Sequence, residues 1–328
     1  MANLTTKYMG FELKNPIIVG SSGLTNSIDN LKLAEKNGAA AVVLKSLFEE
    51  QIKNEAAKTM TLNQDNMTYP EAQDYIQNYT RDNDVENYLK LIREAKSALS
   101  IPVFASINCV SSFEWIDFAN KIEEAGADAL ELNVFILPSD PKKTAKENEA
   151  VYFEIVEKIK KQIKIPIALK ISYYFGGLAN TVLKLSWTGI GGMVLFNRFF
   201  SPDIDIDKFK VTATNVFSTP EELATSLRWV AMISERLHCD IAASTGVHDG
   251  SAVIKQLLAG AKAVQISSVL YKKGFEHIKN MLDEITEWMD KHEFKTTADF
   301  IGKMSLKEAD NPAAYERVQF MKHFAGIE

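Results

Sequence analysis

Residues Gly260–Ser268 read Gly-Ala-Lys-Ala-Val-Gln-Ile-Ser-Ser: a glycine, a short apolar run and two hydroxyls. Gly38–Leu44 (GAAAVVL), Gly126–Leu132 (GADALEL) and Gly191–Leu195 (GGMVL) repeat that helix-to-strand turn, with the glycine expected to supply a left-handed helix cap. Working outward, runs of the same kind occur at Asn15–Gly20, Ala40–Lys45, Pro102–Asn108, Asp128–Asn133, Pro166–Ile171, Gly192–Asn197, Asp240–Thr245 and Ala263–Ser268. These runs are apolar without strict alternation, which is how strands buried on both faces read. Helical periodicity fills the segments between them, as where Trp115, Phe118, Ala119 and Ile122 oppose Asp117, Lys121 and Glu124. About eight buried parallel strands with intervening helices predict an α/β fold, the (β/α)8 TIM barrel. Pro16, Pro102 and Pro166 open the first, third and fifth strands, where a missing N–H costs least, so the pattern is a βαβα unit used four times.

The 328 residues allow roughly two domains at ~150 residues each, but barrels of this kind run to ~250 residues or more as one unit. A single domain over 1–328 is expected, with the tail from about 295 packed on it. That tail reads as a helix followed by polar, proline-containing sequence suited to packing or a dimer contact. Three stretches interrupt the rhythm, Phe48–Asp84, Ile136–Lys146 and Arg198–Pro220. All follow strand C-termini, the barrel face where active sites are built, and are expected as long loops there.

Apolar residues make up 46% and charged residues 24%, and 37 basic against 43 acidic side chains leave a net charge of −6. Such a balance argues against nucleic-acid binding and a polybasic membrane anchor. No leader-like start or apolar run of ~18 residues is present, and Cys109 and Cys239 lie far apart in apolar contexts, so a cytoplasmic protein is expected. Several motifs fail on inspection. Gly189, Gly191 and Gly192 precede a strand, with valine where a dinucleotide loop needs its third glycine. Asp203, Asp205 and Asp207 alternate as in a calcium loop, but Lys208 holds the glycine position and Thr214 that of the bidentate acid, so an edge strand or turn is expected. The histidines 238, 248, 277, 292 and 323 form no close zinc pair, although His248 lies near the phosphate candidate described next. Glu49-Glu50 reads as a solvated loop start.

Polar residues end the apolar strands: Lys45; Ser106 and Asn108; Glu131 and Asn133; Lys170 and Ser172; Asn197; Ser244 and Thr245; Ser267 and Ser268. In a barrel they converge on one pocket. Ser244-Thr245-Gly246, before the helix near Asp249, and Ser267-Ser268 suit a phosphate held by backbone N–H groups. Asn108, Asn133 and Lys170 suit a heterocycle with ring nitrogens and carbonyls. A flavin mononucleotide has both parts, and Lys170 beside its pyrimidine end would stabilise the reduced, anionic ring. A buried ammonium needs an anion, and Glu131 is a candidate partner for Lys45 or Lys170.

The opening NPIIVGSSG, the run VVLKSLFEEQ, then ELN, ALKIS and the closing LLAGAKAVQISSVLYKKG resemble the dihydroorotate dehydrogenase family, as an FMN-containing, class 1-like barrel, over nearly the whole chain. The resemblance implies that Ser21, Ser22 and Gly23 lie along the flavin, that Lys45 and Asn133 contact its ring or ribityl chain, and that Lys170 meets its pyrimidine edge. Gly246, Ser267 and Ser268 would hold the phosphate. In the family's soluble branch the loop after the fourth strand carries a cysteine base; here that position is Ile136, which accepts no proton. Ser139, three positions later, and Cys109, past the third strand, are candidate substitutes, and with Lys45 make up the catalytic candidates. The family's asparagine-rich substrate loop is replaced around Met67, Tyr69 and Pro70, and the sixth strand ends Asn197-Arg198. Tyr69, Asn197 and Arg198 are therefore the substrate candidates, with Arg198 suited to a carboxylate. The resemblance implies conversion of dihydroorotate to orotate in pyrimidine biosynthesis, or a close relative of that reaction on another small substrate. The electron acceptor stays open, the soluble branch implies a homodimer, and an electron-transfer subunit is a candidate partner. Two alternatives remain: a Schiff-base aldolase using Lys170, and a non-catalytic flavin-binding subunit of a redox complex.

Overall fold

A computed structural model describes residues 2–48, 85–108, 114–198, 202–213, 216–309 and 315. The chain opens with an antiparallel hairpin, β1 (Thr6–Tyr8) and β2 (Phe11–Leu13), turned through Met9 and Gly10 at φ 51° and 83°. Eight parallel strands follow: β3 (Ile17–Val19), β4 (Ala41–Val43) and, past the short β5 (Leu47–Phe48), β6 (Val103–Asn108), β7 (Ala129–Asn133), β8 (Ile167–Ile171) and β9 (Gly192–Leu195). A second hairpin, β10 (Pro202–Asp205) and β11 (Lys210–Ala213), precedes β12 (Asp240–Ser244) and β13 (Ala263–Ile266). β13 pairs with β3 and β4 with β6, closing the barrel. Each of the eight expected strands is present. The carbonyls of Pro16, Pro102 and Pro166 accept from Val264, Val42 and Leu130, so these prolines give up only the missing donor.

Helices cover the outside. They include Ile28–Lys36, 85–98, Glu114–Glu124, Ala145–Lys160, Leu178–Ser186, Leu223–Ile233, Gly250–Ala259 and His277–Lys291. Their apolar faces and the outward strand residues form the larger core. Asp205 turns the second hairpin by accepting from the N–H groups of Asp207 and Lys208, the edge strand and turn that the alternating aspartates predict.

The lower interior is a separate apolar cluster of Ile18, Ala41, Val43, Phe104, Ala129, Ala168, Val194, Ala242 and Ala263. Tyr8, Met9 and Leu13 of the first hairpin are buried against it, Met9 and Leu13 each contributing about 1.5–3 kcal/mol relative to exposure. Small strand residues make room for this plug: a Cβ on Gly192 would lie 2.7 Å from Tyr8 Oη and 2.8 Å from Met9 Cγ. One expectation about the glycines is thereby corrected. Gly38, Gly126 and Gly260 have φ of 105°, 93° and 113°, but in the third unit Gly189, at 82°, is the left-handed residue. Gly191 and Gly192 instead pass close beneath Met9 and Tyr8.

In the tail, where Tyr315 is helical, Phe294 is followed by a 3-10 turn, Thr297–Asp299, in which the Asp299 carboxylate takes the N–H groups of Lys295 and Thr296. The chain then runs along two covering helices, with Gly302, Met304 and Leu306 donating to Leu257, Leu258 and Ala231 at 2.7–2.9 Å.

Candidate functional site

Two residues above the apolar cluster, the inward positions become polar. Lys170 Nζ on β8 donates to Gln265 Oε1 on β13 at 2.9 Å and lies 3.5 Å from Glu131 Oε1 on β7. Gln265 Nε2 donates to Glu131 Oε2 at 2.5 Å. These side chains are buried, with relative exposures of 8% for Lys170, 2% for Glu131 and 3% for Gln265. Glu131 Oε1 accepts no hydrogen bond and is balanced by the ammonium alone, an arrangement in which both charges depend on each other for compensation. A Schiff-base role would need a free amine at Lys170; this ammonium is engaged, which removes the support for the aldolase alternative.

A chain of hydroxyls crosses the ends of β3, β4 and β6. Ser21 Oγ meets Ser46 Oγ at 3.0 Å, and Ser46 Oγ meets Ser106 Oγ at 2.7 Å. β4 breaks off after Val43 and pairing with β6 resumes at Leu47, so the Ser106 N–H lacks a strand partner. Tyr88, from helix 85–98, fills the gap, accepting from Ser106 N at 2.8 Å and donating to Ser106 O at 3.0 Å. Burial pushes this phenol well above its usual range. Ser106 is thus a structural hydroxyl. Ser22 Oγ is buried without a partner, and Gly23 lies where a Cβ would meet Tyr271 Oη at 2.7 Å.

A cavity of about 140 Å3 joins Lys170 and Gln265 to Ser21, Asn197 and the ends of β12 and β13. In the turn after β12, Thr245 and Gly246 have φ of 76° and 78°, a conformation costly for threonine. A Cβ on Gly246 would sit 2.2 Å from Leu223 N. The N–H groups of Gly246 and Val247 donate to no protein acceptor among the described residues. The helix beyond contributes less than its position promised, because the Asp249 side chain caps it by accepting from Ala252 N at 2.7 Å. The N–H groups without an acceptor among the described residues therefore belong to the turn.

Ser218 lines the same cavity, a residue the sequence reading missed. Its Oγ meets His248 Nε2 at 3.0 Å, its N–H donates to Ser268 Oγ at 3.0 Å, and its carbonyl accepts from Lys272 Nζ at 2.9 Å. Burial, then Lys272 and Lys273, lower the His248 pKa, keeping a neutral imidazole there. The only signal in the sequence was the place of His248 beside the turn. Ser267 Oγ donates to Gly20 O at 3.1 Å.

A second cavity, of about 230 Å3, adds Tyr173, Tyr174, Phe196 and Thr225 and shares Asn197, Arg198, Ser244 and Thr245 with the first. Asn197 Nδ2 donates to Asn133 Oδ1. Arg198 is half-buried and paired: Nε and Nη2 donate to Glu222 at 2.8 and 3.2 Å, and Nη1 to Val216 O at 2.9 Å. Lys45 is half-buried past β4, and Asn108 ends β6 opposite Phe48. Ser139 is exposed, with its N–H on Leu137 O at 2.8 Å, and does not line either cavity. Ile136 is half-buried, its N–H directed at Tyr152 Oη at 3.3 Å. Cys109 and Tyr69 lie outside the described residues. Cys239 immediately precedes β12 at the far end of the barrel, its thiol pushed up to about 12 by burial and then by Asp240.

The family model of dihydroorotate dehydrogenase matches residues 3–289. The chain belongs to the dihydroorotate dehydrogenase family. Its barrel is that family's fold, and the cavity occupies the C-terminal mouth where such barrels hold their chemistry. Among similar proteins is the dihydroorotate dehydrogenase B (NAD(+)) catalytic subunit of Thermoplasma acidophilum, 25% identical over 314 residues, covering 92% of this chain and 99% of that protein. The corresponding protein of Methanocaldococcus jannaschii is 25% identical over 313 residues, 91% of this chain and 97% of its own length. A putative dihydroorotate dehydrogenase A (fumarate) of Aeropyrum pernix is 26% identical over 225 residues, 65% of this chain and 71% of that protein.

Proposed function

We propose that this dihydroorotate dehydrogenase family member is an FMN-dependent oxidoreductase that dehydrogenates a CH–CH bond in a small cyclic, carboxylated substrate, with dihydroorotate and its product orotate as the leading pair. One observation carries the reading: a buried cation, the amides of Asn197 and Gln265, and a turn whose N–H groups have no acceptor among the described residues meet in a single cavity. Residues at that mouth fit the nucleotide. The turn Thr245–Val247 with Ser267 and Ser268 would hold the phosphate, Lys170 the electron-rich edge of the ring, and Ser21, the orphan hydroxyl of Ser22, Gly23, Lys45, Asn108 and Asn133 the remaining polar atoms. Bound FMN would supply the acceptor for hydride from the substrate carbon.

The chain's own part is to bind and orient. Asn133 and Asn197 are paired with each other, and exchanging that bond for bonds to a substrate would fix the substrate's plane. Arg198, pinned by Glu222 and Val216, would offer its remaining N–H groups to a carboxylate. Among the described residues proton removal has no agent: Ile136 accepts no proton and Ser139 lines neither cavity, while the candidate Cys109 lies outside them. This favours a second reading, a sister reaction on another small substrate, over a loss of redox function. The chain would act as a single FMN-binding domain in the cytosol. Among the described residues, no helix is long and apolar enough to cross a membrane. The catalytic-subunit names of its relatives support an electron-transfer partner, and the soluble branch supports a homodimer.

The deciding experiment is the visible spectrum of purified protein with and without added FMN, followed by anaerobic dihydroorotate. A flavin spectrum that bleaches supports the whole proposal. A flavin spectrum that does not bleach, followed by a substrate screen, moves the assignment to the sister reaction. Colourless protein that ignores FMN overturns both readings.

A further inference from the structure

The buried lysine at the cavity floor has two ligands of its own. Gln265 Oε1 accepts from Lys170 Nζ at 2.9 Å, Glu131 Oε1 lies 3.5 Å from it, and Gln265 Nε2 ties back to Glu131 Oε2 at 2.5 Å. The three side chains come from β7, β8 and β13, on opposite sides of the barrel, and none is more than 8% exposed. A lysine needed only for its charge would not require this. Four flexible carbons would let the ammonium wander, and here an amide and a carboxylate fix it from below. The fixing has an electrostatic side as well. Glu131 Oε1 has no hydrogen-bond donor, so its charge is spent on the lysine and on whatever occupies the space above.

We propose that Glu131 and Gln265 are positioning residues that set the redox bias of the site: Gln265 fixes the height of the Lys170 ammonium, and Glu131 cancels part of its charge. The inference rests on the FMN reading above. Lys170 favours an electron-rich ring and Glu131 opposes it, so the reduction potential of bound flavin reflects their difference rather than the lysine alone. In a water-poor site neither contribution is strongly screened.

The test is the two-electron midpoint potential of bound FMN, measured by anaerobic reduction against a reference dye in the full chain. Glu131→Gln keeps the shape and removes the opposing charge, and should favour the reduced form about tenfold or more, an upward shift of ~30 mV for a two-electron couple. Gln265→Met removes the acceptor that fixes the ammonium and the donor that partly neutralises Glu131, two losses that both disfavour the electron-rich ring, and should shift the potential the other way. Opposite signs from two substitutions on one network are not expected of residues that merely hold the barrel together. Each variant is read independently, so failure of one to fold leaves the other decisive. An FMN-loaded Glu131→Gln at or below the wild-type potential, or an FMN-loaded Gln265→Met at or above it, overturns the inference alone. Wild-type protein that takes up no FMN overturns the cofactor reading and this inference with it.

Discussion

The two ends of the barrel interior are built from the same eight strands by opposite rules. At the bottom, alanines, Gly192 and a few larger apolar residues leave a space that Tyr8, Met9 and Leu13 fill. Two residues further along, Glu131, Lys170 and Gln265 replace them, and a carboxylate oxygen and a serine hydroxyl are buried without hydrogen bonds. The lower half is apolar apart from the Tyr8 hydroxyl, which is buried without a hydrogen-bond partner. The upper half leaves donors and acceptors for something else to complete, and tolerates the cost because the lower half and the helical shell hold the strands in place.

The largest test of this contrast lies in the upper half. Lys170→Met leaves Glu131 buried without its counter-charge and should cost about 3–5 kcal/mol of unfolding free energy, whereas Lys170→Met with Glu131→Leu removes both charges and should recover most of it. Urea denaturation of the two variants reads the difference, and equal losses would mean that the ion pair does not govern the floor. Next comes the lower half. Gly192→Val would drive methyls into Tyr8 and Met9 and should cost about 1–3 kcal/mol by overpacking. If the halves are separable, that variant still binds FMN when folded; loss of FMN at full stability would break the comparison.

The smallest effect concerns the wall of the cavity. His248 has a lowered pKa in the folded protein, from burial first and then Lys272 and Lys273. Its neutral form is the one that folding favours. Stability is therefore full above the usual histidine value of about 6.5 and is lost as pH falls from there toward the folded value, by at most ~1.4 kcal/mol per pH unit for one proton. Urea midpoints at pH 7.5 and 5.5 should differ more for wild type than for His248→Gln, and parallel shifts would remove His248 as the cause.

The barrel was legible because its strands are short, apolar and bounded by glycine or proline, a pattern that survives in one sequence. Its plug was not anticipated, although Tyr8 and Leu13 alternate with Lys7 and Glu12 about the Met9-Gly10 turn, the ordinary mark of a hairpin. Lys170 and Glu131 stood out as charges inside apolar strands. Gln265, an uncharged amide, did not, and its bonds to both depend on cross-barrel geometry that no local pattern encodes. Ser218 lies in a loop, held near the Thr245–Val247 turn by His248 and Lys272 from other elements, so beyond the place of His248 beside that turn the sequence spacing carries no trace of it. At the helix near Asp249, the aspartate that marks the start also takes the Ala252 N–H, and Glu284 takes that of Gly250.

The plug has a consequence for how the chain is made. Met9 donates its N–H to Asp240, 231 positions later, and Thr5 O accepts from Thr297. The hairpin therefore lacks these partners until Asp240 and Thr297 have been made, and until then the growing polypeptide holds Tyr8, Met9 and Leu13 without their full cover.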